Sequence, residues 1–267
     1  MNGLRATRFA RFLPVVVAAA VWGCAQTQSS QQQRPAMLQT ASTNVLTGNY
    51  DEAVTIYTDF LGTGPAPQLM AEGYVGRGNA YYKLGRYELA EADFRAGLSI
   101  QCDRATRAQA TLGLANSVFA LENYEGAEKV YRQIPRLYQG LVPQDEVTYR
   151  LGLSLARQGK WDEARQLLEQ VAADWPGGDF ARSAKAKLAA VNGRVFTVQV
   201  GAFTNKTVAE KALGELKAQN FPAALEPIDI GGVPGYAIRS GRFTDWKAVS
   251  DHAEKLKAAG FPVYKLP

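Results

Sequence analysis

The sequence is poor in the residues that build metal centres and nucleophilic active sites. Its 267 residues include one histidine, His252, and two cysteines, Cys24 and Cys102. A zinc site or a Ser-His-Asp triad needs several such groups close together. His252 lies between Asp251 and Glu254 on a predicted helix, where a solvated position is expected. Two cysteines in a chain of this length also form no disulfide framework. We therefore expect no catalytic site, no metal and no cofactor.

A concentrated charge of one sign is also missing. The formal net charge is +5. Three of these charges are Arg5, Arg8 and Arg11, and residues 195–267 hold nine Lys or Arg against seven Asp or Glu, a net of +2, so the middle of the chain is neutral (5 − 3 − 2 = 0). Nucleic-acid binding needs clustered basic charge to neutralise phosphates, and the distribution argues against it. With 46% hydrophobic residues, the chain has enough apolar surface to fold.

Long hydrophobic runs are absent apart from a short one near the N-terminus. Residues 12–22, FLPVVVAAAVW, follow the basic stretch LRATRFAR. A run of this length, at ~1.5 Å per residue, does not cross a hydrocarbon core of ~30 Å. A basic stretch followed by a short apolar one is typical of a signal peptide. The pattern predicts that residues 1–23 are a targeting segment.

The end of this segment, VWGC at residues 21–24, resembles the bacterial lipobox. The resemblance implies that residues 1–23 are removed and that Cys24 carries fatty acyl chains such as palmitate. Ala25 after the cysteine implies sorting to the outer membrane, with the protein anchored on its periplasmic face. The polar residues 24–34 then form a flexible linker. A secreted protein cut at another site and an uncleaved membrane tail are the alternatives.

A repeat with a period of 37 residues follows. GNYDEAVTIY, GRYELAEADF, ENYEGAEKVY and GKWDEARQLL begin at residues 48, 85, 122 and 159. In each copy an aromatic residue, a small alanine and a later apolar residue lie on one helix face. The leading glycine suits a turn between paired helices, although Glu122 replaces it in the third copy. The alanines are Ala53, Ala90, Ala127 and Ala164, and the apolar residues are Tyr57, Phe94, Tyr131 and Leu168.

The pattern resembles the tetratricopeptide repeat (TPR), whose usual period is 34. The resemblance covers residues 35–192 and implies four helical hairpins closed by a capping helix over Phe180–Val191. Such hairpins stack into a curved α-solenoid whose concave wall often binds extended peptides. Asn79 and Asn116 occupy the same slot on that wall and are candidates for hydrogen bonds to the backbone of a protein partner. Two solvated asparagines are the plainer alternative.

The last part of the chain changes to alternating strands and helices. GAFT at residue 201 matches GRFT at 241, and the FP pair at 221 matches FP at 261, so the region is duplicated at an offset of 40. This predicts a ferredoxin-like βαββαβ unit with one four-stranded sheet and both helices on one face. The predicted strands are Val195–Phe203, Ala223–Asp229, Tyr236–Phe243 and Pro262–Leu266.

This region resembles the SPOR (sporulation-related repeat) domain. The resemblance rests on VQVGAF at 198–203 and YAIRSGRF from residue 236, together with the duplication, and covers residues 195–267. It implies binding to peptidoglycan glycan strands that have lost their stem peptides. Such strands accumulate where amidases split the division septum.

Four residues carry the implied glycan site. Gln199 matches the family's first-strand glutamine on the open face of the sheet, and an amide both donates to and accepts from sugar groups. Arg239 lies on the same face by strand alternation. Tyr236 is aromatic where the family often is, but alternation directs it inward. Arg242 is a further candidate that compensates in part for Ala237, which stands where the family often has arginine.

Two functional hypotheses follow. In the first, an outer-membrane lipoprotein binds denuded glycan strands through the SPOR domain and recruits a protein through the solenoid during cell division. In the second, the solenoid is an assembly factor or pilotin of a secretion or pilus system, and the wall-binding domain only positions it.

Overall fold

The computed structural model describes residues 36–266. The predicted signal peptide 1–23, Cys24 and the linker 24–34 lie outside the described residues. Within the described range, no helix is both long and apolar enough to cross a bilayer. The described chain forms a helical solenoid, residues 36–192, followed by a sheet domain, residues 196–266. The predicted fold class, an α-solenoid followed by a ferredoxin-like unit, is confirmed.

The solenoid consists of helices packed as successive hairpins. Three of the four turns between paired helices contain a glycine in the left-handed region. The φ angle is 85° at Gly48, 73° at Gly85 and 74° at Gly159. Glu122 adopts the same conformation with φ 61°. The helices are α1 (residues 36–46), α2 (Tyr50–Gly62), α3 (Pro67–Lys83), α4 (Tyr87–Ser99), α5 (Arg104–Ala120), α6 (Tyr124–Tyr131), α7 (Ile134–Leu137), α8 (Gln144–Arg157), α9 (Trp161–Asp174) and α10 (Asp179–Asn192).

The repeat positions form the solenoid core, as predicted. The four alanines are fully buried, and the four apolar residues that follow them are at most 4% exposed. The close packing of neighbouring helices also depends on glycines, which have no side chain. A Cβ atom added to Gly113 on α5 would lie 2.3 Å from the ring of Phe94, so glycine is required where that ring packs.

The third hairpin departs from the repeat. Its second helix is only eight residues long and is followed by the short helix α7. Pro135 lies in the first turn of α7, where a proline is tolerated because its missing N–H would have no partner there. A proline inside a continuous helix would remove a hydrogen bond and clash with the preceding turn. The chain therefore breaks the helix before this residue.

The sheet domain has strand order β2-β3-β1-β4 and is antiparallel throughout. Both helices cover one face, where Val198, Val200 and Ile238 form the core with Leu216 and Leu256. The elements are β1 (Phe196–Phe203), α11 (Lys206–Ala218), β2 (Ala223–Ile230), β3 (Val233–Phe243), α12 (Trp246–Ala258) and β4 (Tyr264–Leu266).

The sheet domain packs against the solenoid through Trp246 at the start of α12. The guanidinium of Arg157 lies 3.5 Å from the Trp246 ring centroid, and the Tyr124 ring packs edge-on at 5.4 Å. The Trp246 indole N–H donates to Glu122 at 3.1 Å, and the Lys265 ammonium donates to the same carboxylate. Cation–π contact and a shared acceptor thus join the two regions.

Candidate functional site

One row of side chains crosses the sheet on the face opposite its helices. Gln199 of β1 is paired with Arg239 of β3 and with Tyr264 of β4, and Arg239 is paired with Ala224 of β2. Directly opposed residues in antiparallel strands project from the same face. Their neighbours Val198 and Ile238 point to the helices. The residues Tyr264, Gln199, Arg239 and Ala224 therefore share one face of the sheet, and we call them the sheet row.

Tyr264 is the aromatic member of this row, and no sequence pattern indicated it as a site residue. Its side chain is 61% exposed, and it stands beside Gln199 because β4 pairs with β1. Its place in the row follows from the pairing of β4 with β1, which three residues of strand do not reveal by alternation alone. An exposed aromatic ring next to an amide and a guanidinium is a suitable surface for a sugar, which has both apolar and polar edges.

The structure does not bring Tyr236 to the sheet row. Tyr236 is paired with Phe203 and lies two residues from Ile238 in the same strand, on the side that faces the helices. Strand alternation in the sequence already directed it inward. It is half-buried and paired with Phe203, so it takes no part in the sheet row.

Arg242 lies close to Arg239 because the strand is irregular at Gly241. The pairing of β1 with β3 shifts between Phe196 and Val198, and Gly241 has φ 72°. A Cβ atom at Gly241 would come within 2.4 Å of the Phe243 ring, so this backbone path needs glycine. The exposed side chain of Arg242 then lines the same cleft as Arg239.

That cleft separates the sheet from the last solenoid helix. Its volume is about 520 Å³, within the range of ordinary ligand pockets. Helix α10 and the following turn form one wall, and the ends of β1, β2 and β3 form the other. Its lining includes Ala189, Ala190, Thr197, Glu226, Arg239 and Arg242.

The electrostatics of the cleft are dominated by cations. Arg239 Nη1 lies 3.2 Å from Glu226 Oε2, while Arg239 Nε is buried and has no hydrogen-bond partner among the described residues. Lys187 on α10 is also close to this charge. Burial, together with the positive charges of Arg157 and Arg239, lowers the pKa of Lys187 to about 8. The site therefore suits a ligand that accepts hydrogen bonds and carries negative charge.

The two solenoid asparagines have different surroundings. Asn79 is exposed and lines a second cleft of about 230 Å³ with Tyr57. The amide of Asn116 donates to Glu146 at 3.2 Å and accepts from the Tyr131 hydroxyl at 2.5 Å. Asn116 thus links neighbouring repeats, whereas Asn79 is the one whose side chain faces open space in a groove. The proposed role of both in partner binding stays a prediction.

His252 differs from its predicted solvated position. It is half-buried, its Nε2 lies 2.8 Å from Ser240 Oγ, and its ring packs against Phe243. Ser240 donates its hydroxyl proton to the carbonyl of Pro222, so the histidine acts as the donor to Ser240 in the neutral form. Burial, with Lys255 nearby, lowers the pKa of His252. The residue joins β3 to α12, and no cluster of metal-ligating residues occurs in the described range.

Comparison with known families identifies both regions. The family model of the SPOR domain matches residues 192–264, and tetratricopeptide-repeat models match residues 71–103 and 146–178, which hold the second and fourth copies. The chain therefore carries tetratricopeptide repeats and a C-terminal SPOR domain. Both are binding or scaffold modules, and neither is a catalytic domain. A search of curated proteins finds no match.

Solved structures match the helical solenoid. A putative kinesin light chain from Podosopora anserina with nearly identical TPR-like repeats covers 70% of this chain and 95% of its own, at 16% identity and a TM-score of 0.51. A double mutant of MamA RS-1 covers 70% and 96%, at 15% identity and a TM-score of 0.51. A tetratricopeptide repeat protein from Parabacteroides merdae covers 71% and 67%, at 16% identity and a TM-score of 0.50. At these identities the likeness concerns the fold alone.

Proposed function

We propose that this protein is an outer-membrane lipoprotein that binds denuded peptidoglycan strands through its SPOR domain and recruits a protein partner through its solenoid, at the division septum. The observation that carries the proposal is the sheet row, because it brings Tyr264, Gln199 and Arg239 together on the face of the SPOR domain opposite its own two helices. The solenoid groove around Asn79 is the candidate surface for the partner.

The sheet row has the chemistry that an amino-sugar polymer needs. The Gln199 amide donates to and accepts from hydroxyl and N-acetyl groups. The Tyr264 ring supplies a flat apolar surface with a polar edge, and the Arg239 guanidinium donates several hydrogen bonds in one plane. Because the row runs across the strands, a polymer lying along it contacts successive strands with successive sugars.

The anchor in this proposal is Cys24. Acyl chains on that residue contribute ~0.8 kcal/mol per buried methylene, and more than one chain is needed for stable attachment. The polar residues 24–34 then give the solenoid reach from the outer membrane towards the wall. Replacing Cys24 by serine removes the acylation site. The variant chain is expected in the soluble periplasmic fraction, and the unaltered chain in the outer-membrane fraction.

The glycan proposal is tested by pelleting the purified Cys24→Ser chain with sacculi, before and after an amidase removes the stem peptides. We expect more protein in the pellet after digestion. Gln199→Ala should weaken this binding roughly tenfold, because it removes an amide that makes hydrogen bonds in both directions. Gln219→Ala, at an exposed position after α11, is the matched control and should bind normally. Equal pelleting of all chains, or no dependence on amidase, would contradict the proposal.

A further inference from the structure

The cleft beside the sheet row is built by both domains. Ala189 and Ala190 of α10 line one wall, and Thr197, Ala224 and Arg239 of the sheet line the other. The small alanine side chains on both walls leave the space between them open. A sugar ring seated on the sheet next to Arg239 would therefore also contact the solenoid, so that the last helix of the repeat region contributes to the binding site.

The cleft also carries more positive than negative charge. Arg239 and Arg242 line it, and Glu226 is the one acidic residue among its lining residues in the described part of the chain. Glu226 contacts Arg239 Nη1, and the buried Arg239 Nε has no hydrogen-bond partner among the described residues. Lys187 lies one turn before Ala190 on α10 and is close enough to Arg239 for their charges to interact. Guanidinium groups with free donors suit a planar carboxylate.

The chemistry of the glycan offers such a carboxylate. In a strand with stem peptides, the lactyl group of each muramic acid ends in a neutral amide. Hydrolysis of that amide by an amidase leaves a free carboxylate, so every denuded muramic acid is an anion. We propose that the cleft between α10 and the sheet is a two-domain subsite for this anionic sugar, with its carboxylate directed at Arg239 and Arg242. The inference rests on the proposed glycan function and gives it a basis for selectivity.

The first test compares two forms of the same ligand. Soluble glycan strands released from sacculi by amidase are divided, and the free carboxylates of one half are converted into neutral methylamides. The full chain carrying Cys24→Ser should bind the carboxylate form at least roughly tenfold more tightly than the methylamide form, because a charge-assisted hydrogen bond is lost. Its binding to the carboxylate form should also weaken as salt is added.

The second test concerns the solenoid wall. Ala190→Trp places a large ring in the cleft and should reduce binding to the carboxylate strands at least roughly tenfold by exclusion. Ala173→Trp, at an exposed position of α9, is the matched control and should bind normally. Lys187→Met should weaken binding, whereas Lys185→Met, at an exposed position of the same helix, should not. If Ala190→Trp lowers the melting temperature, Arg242→Gln, at an exposed position of the cleft lining, tests the cleft by removing a charge and should also weaken binding.

The outcomes separate the subsite from the broader function. Equal binding of both strand forms, together with normal binding by Ala190→Trp and Arg242→Gln, would overturn the subsite. If Gln199→Ala still weakened binding in that case, the glycan function would stand. A failure of the unaltered sheet row to bind either strand form would overturn both.

Discussion

At the scale of single residues, a change at Tyr264 is expected to weaken glycan binding without destabilising the fold. Its ring is largely exposed on the sheet row, so Tyr264→Ala should leave the melting temperature unchanged. Binding to amidase-treated sacculi should fall by roughly fivefold, since stacking contributes on the order of 1 kcal/mol. Tyr264→Phe keeps the ring and should retain most of the affinity. Loss of affinity in both variants would assign the effect to the hydroxyl, and no loss in either would remove Tyr264 from the site.

The sequence was sufficient for part of this site and insufficient for the rest. Strand alternation predicted that Gln199 and Arg239 share a face, and the pairing of β1 with β3 places them opposite each other. Tyr264 was missed because β4 has only three residues, too few for a clear alternation. Lys187 and Ala190 belong to the capping helix α10, and no local pattern in the sequence places this helix beside the sheet. Their position depends on how the two domains pack.

At the scale of elements, Glu128 holds the short helix α6 in the stack. Its carboxylate accepts hydrogen bonds from Arg132 at 2.8 Å, Lys160 at 2.7 Å and Gln158 at 2.8 Å. Burial works to raise the pKa of Glu128, but these partners outweigh it and lower the pKa to about 2. The contact therefore stabilises the fold above the ordinary glutamate pKa of about 4.3, and this contribution is lost as the pH falls from there towards 2.

Urea unfolding across this pH range tests the role of Glu128. Glu128→Gln should lower the free energy of unfolding at pH 7 by on the order of 2 kcal/mol, and the difference from the unaltered chain should shrink between about pH 4 and pH 2. Glu125→Gln is the matched control, because Glu125 pairs with Lys129 on the exposed side of the same helix and such pairs contribute little. Equal losses in the two variants would contradict the assignment.

The helical elements themselves were largely predictable, with one exception. A 37-residue period with small and aromatic residues at fixed positions is a local property, and the helices follow it. The break between α6 and α7 was not predicted, although Pro135 gave the signal for it. The repeat pattern predicted a continuous second helix in the third copy as well, because the other three copies have one. A single proline outweighed the pattern because it removes a helical hydrogen bond.

At the scale of the whole molecule, the junction between the domains explains a departure from the repeat. The first, second and fourth turns use glycine with positive φ, and the third uses Glu122, a strained choice for a residue with a side chain. This backbone strain is compensated by the Glu122 carboxylate, which accepts hydrogen bonds from Trp246 and Lys265 of the sheet domain. Burial works to raise the pKa of Glu122, but these hydrogen bonds outweigh it and lower the pKa. The residue is thus kept charged at the contact between domains.

Glu122→Gly tests this interpretation because its two effects have opposite signs. Glycine relieves the backbone strain, by on the order of 1 kcal/mol, so the solenoid should unfold no earlier than before. Trp246 and Lys265 lose their acceptor, so the sheet domain should move more freely relative to α10. We expect a larger radius of gyration in X-ray scattering, faster proteolysis at residues 193–195 and red-shifted tryptophan emission. Glu122→Gln, which keeps an acceptor without the charge, should give intermediate values.

The same variant connects the junction to glycan binding. If α10 is a wall of the binding cleft, a freer sheet domain in Glu122→Gly should bind denuded strands more weakly although the sheet row is intact. Lys265→Met breaks the same contact from the other side and should reproduce both effects. An unchanged radius of gyration in both variants would mean that the remaining contacts, among them Arg157 with Trp246 and Trp161 with Phe196, are sufficient to hold the domains together. A larger radius with unchanged binding would mean that the sheet recognises the glycan without the solenoid.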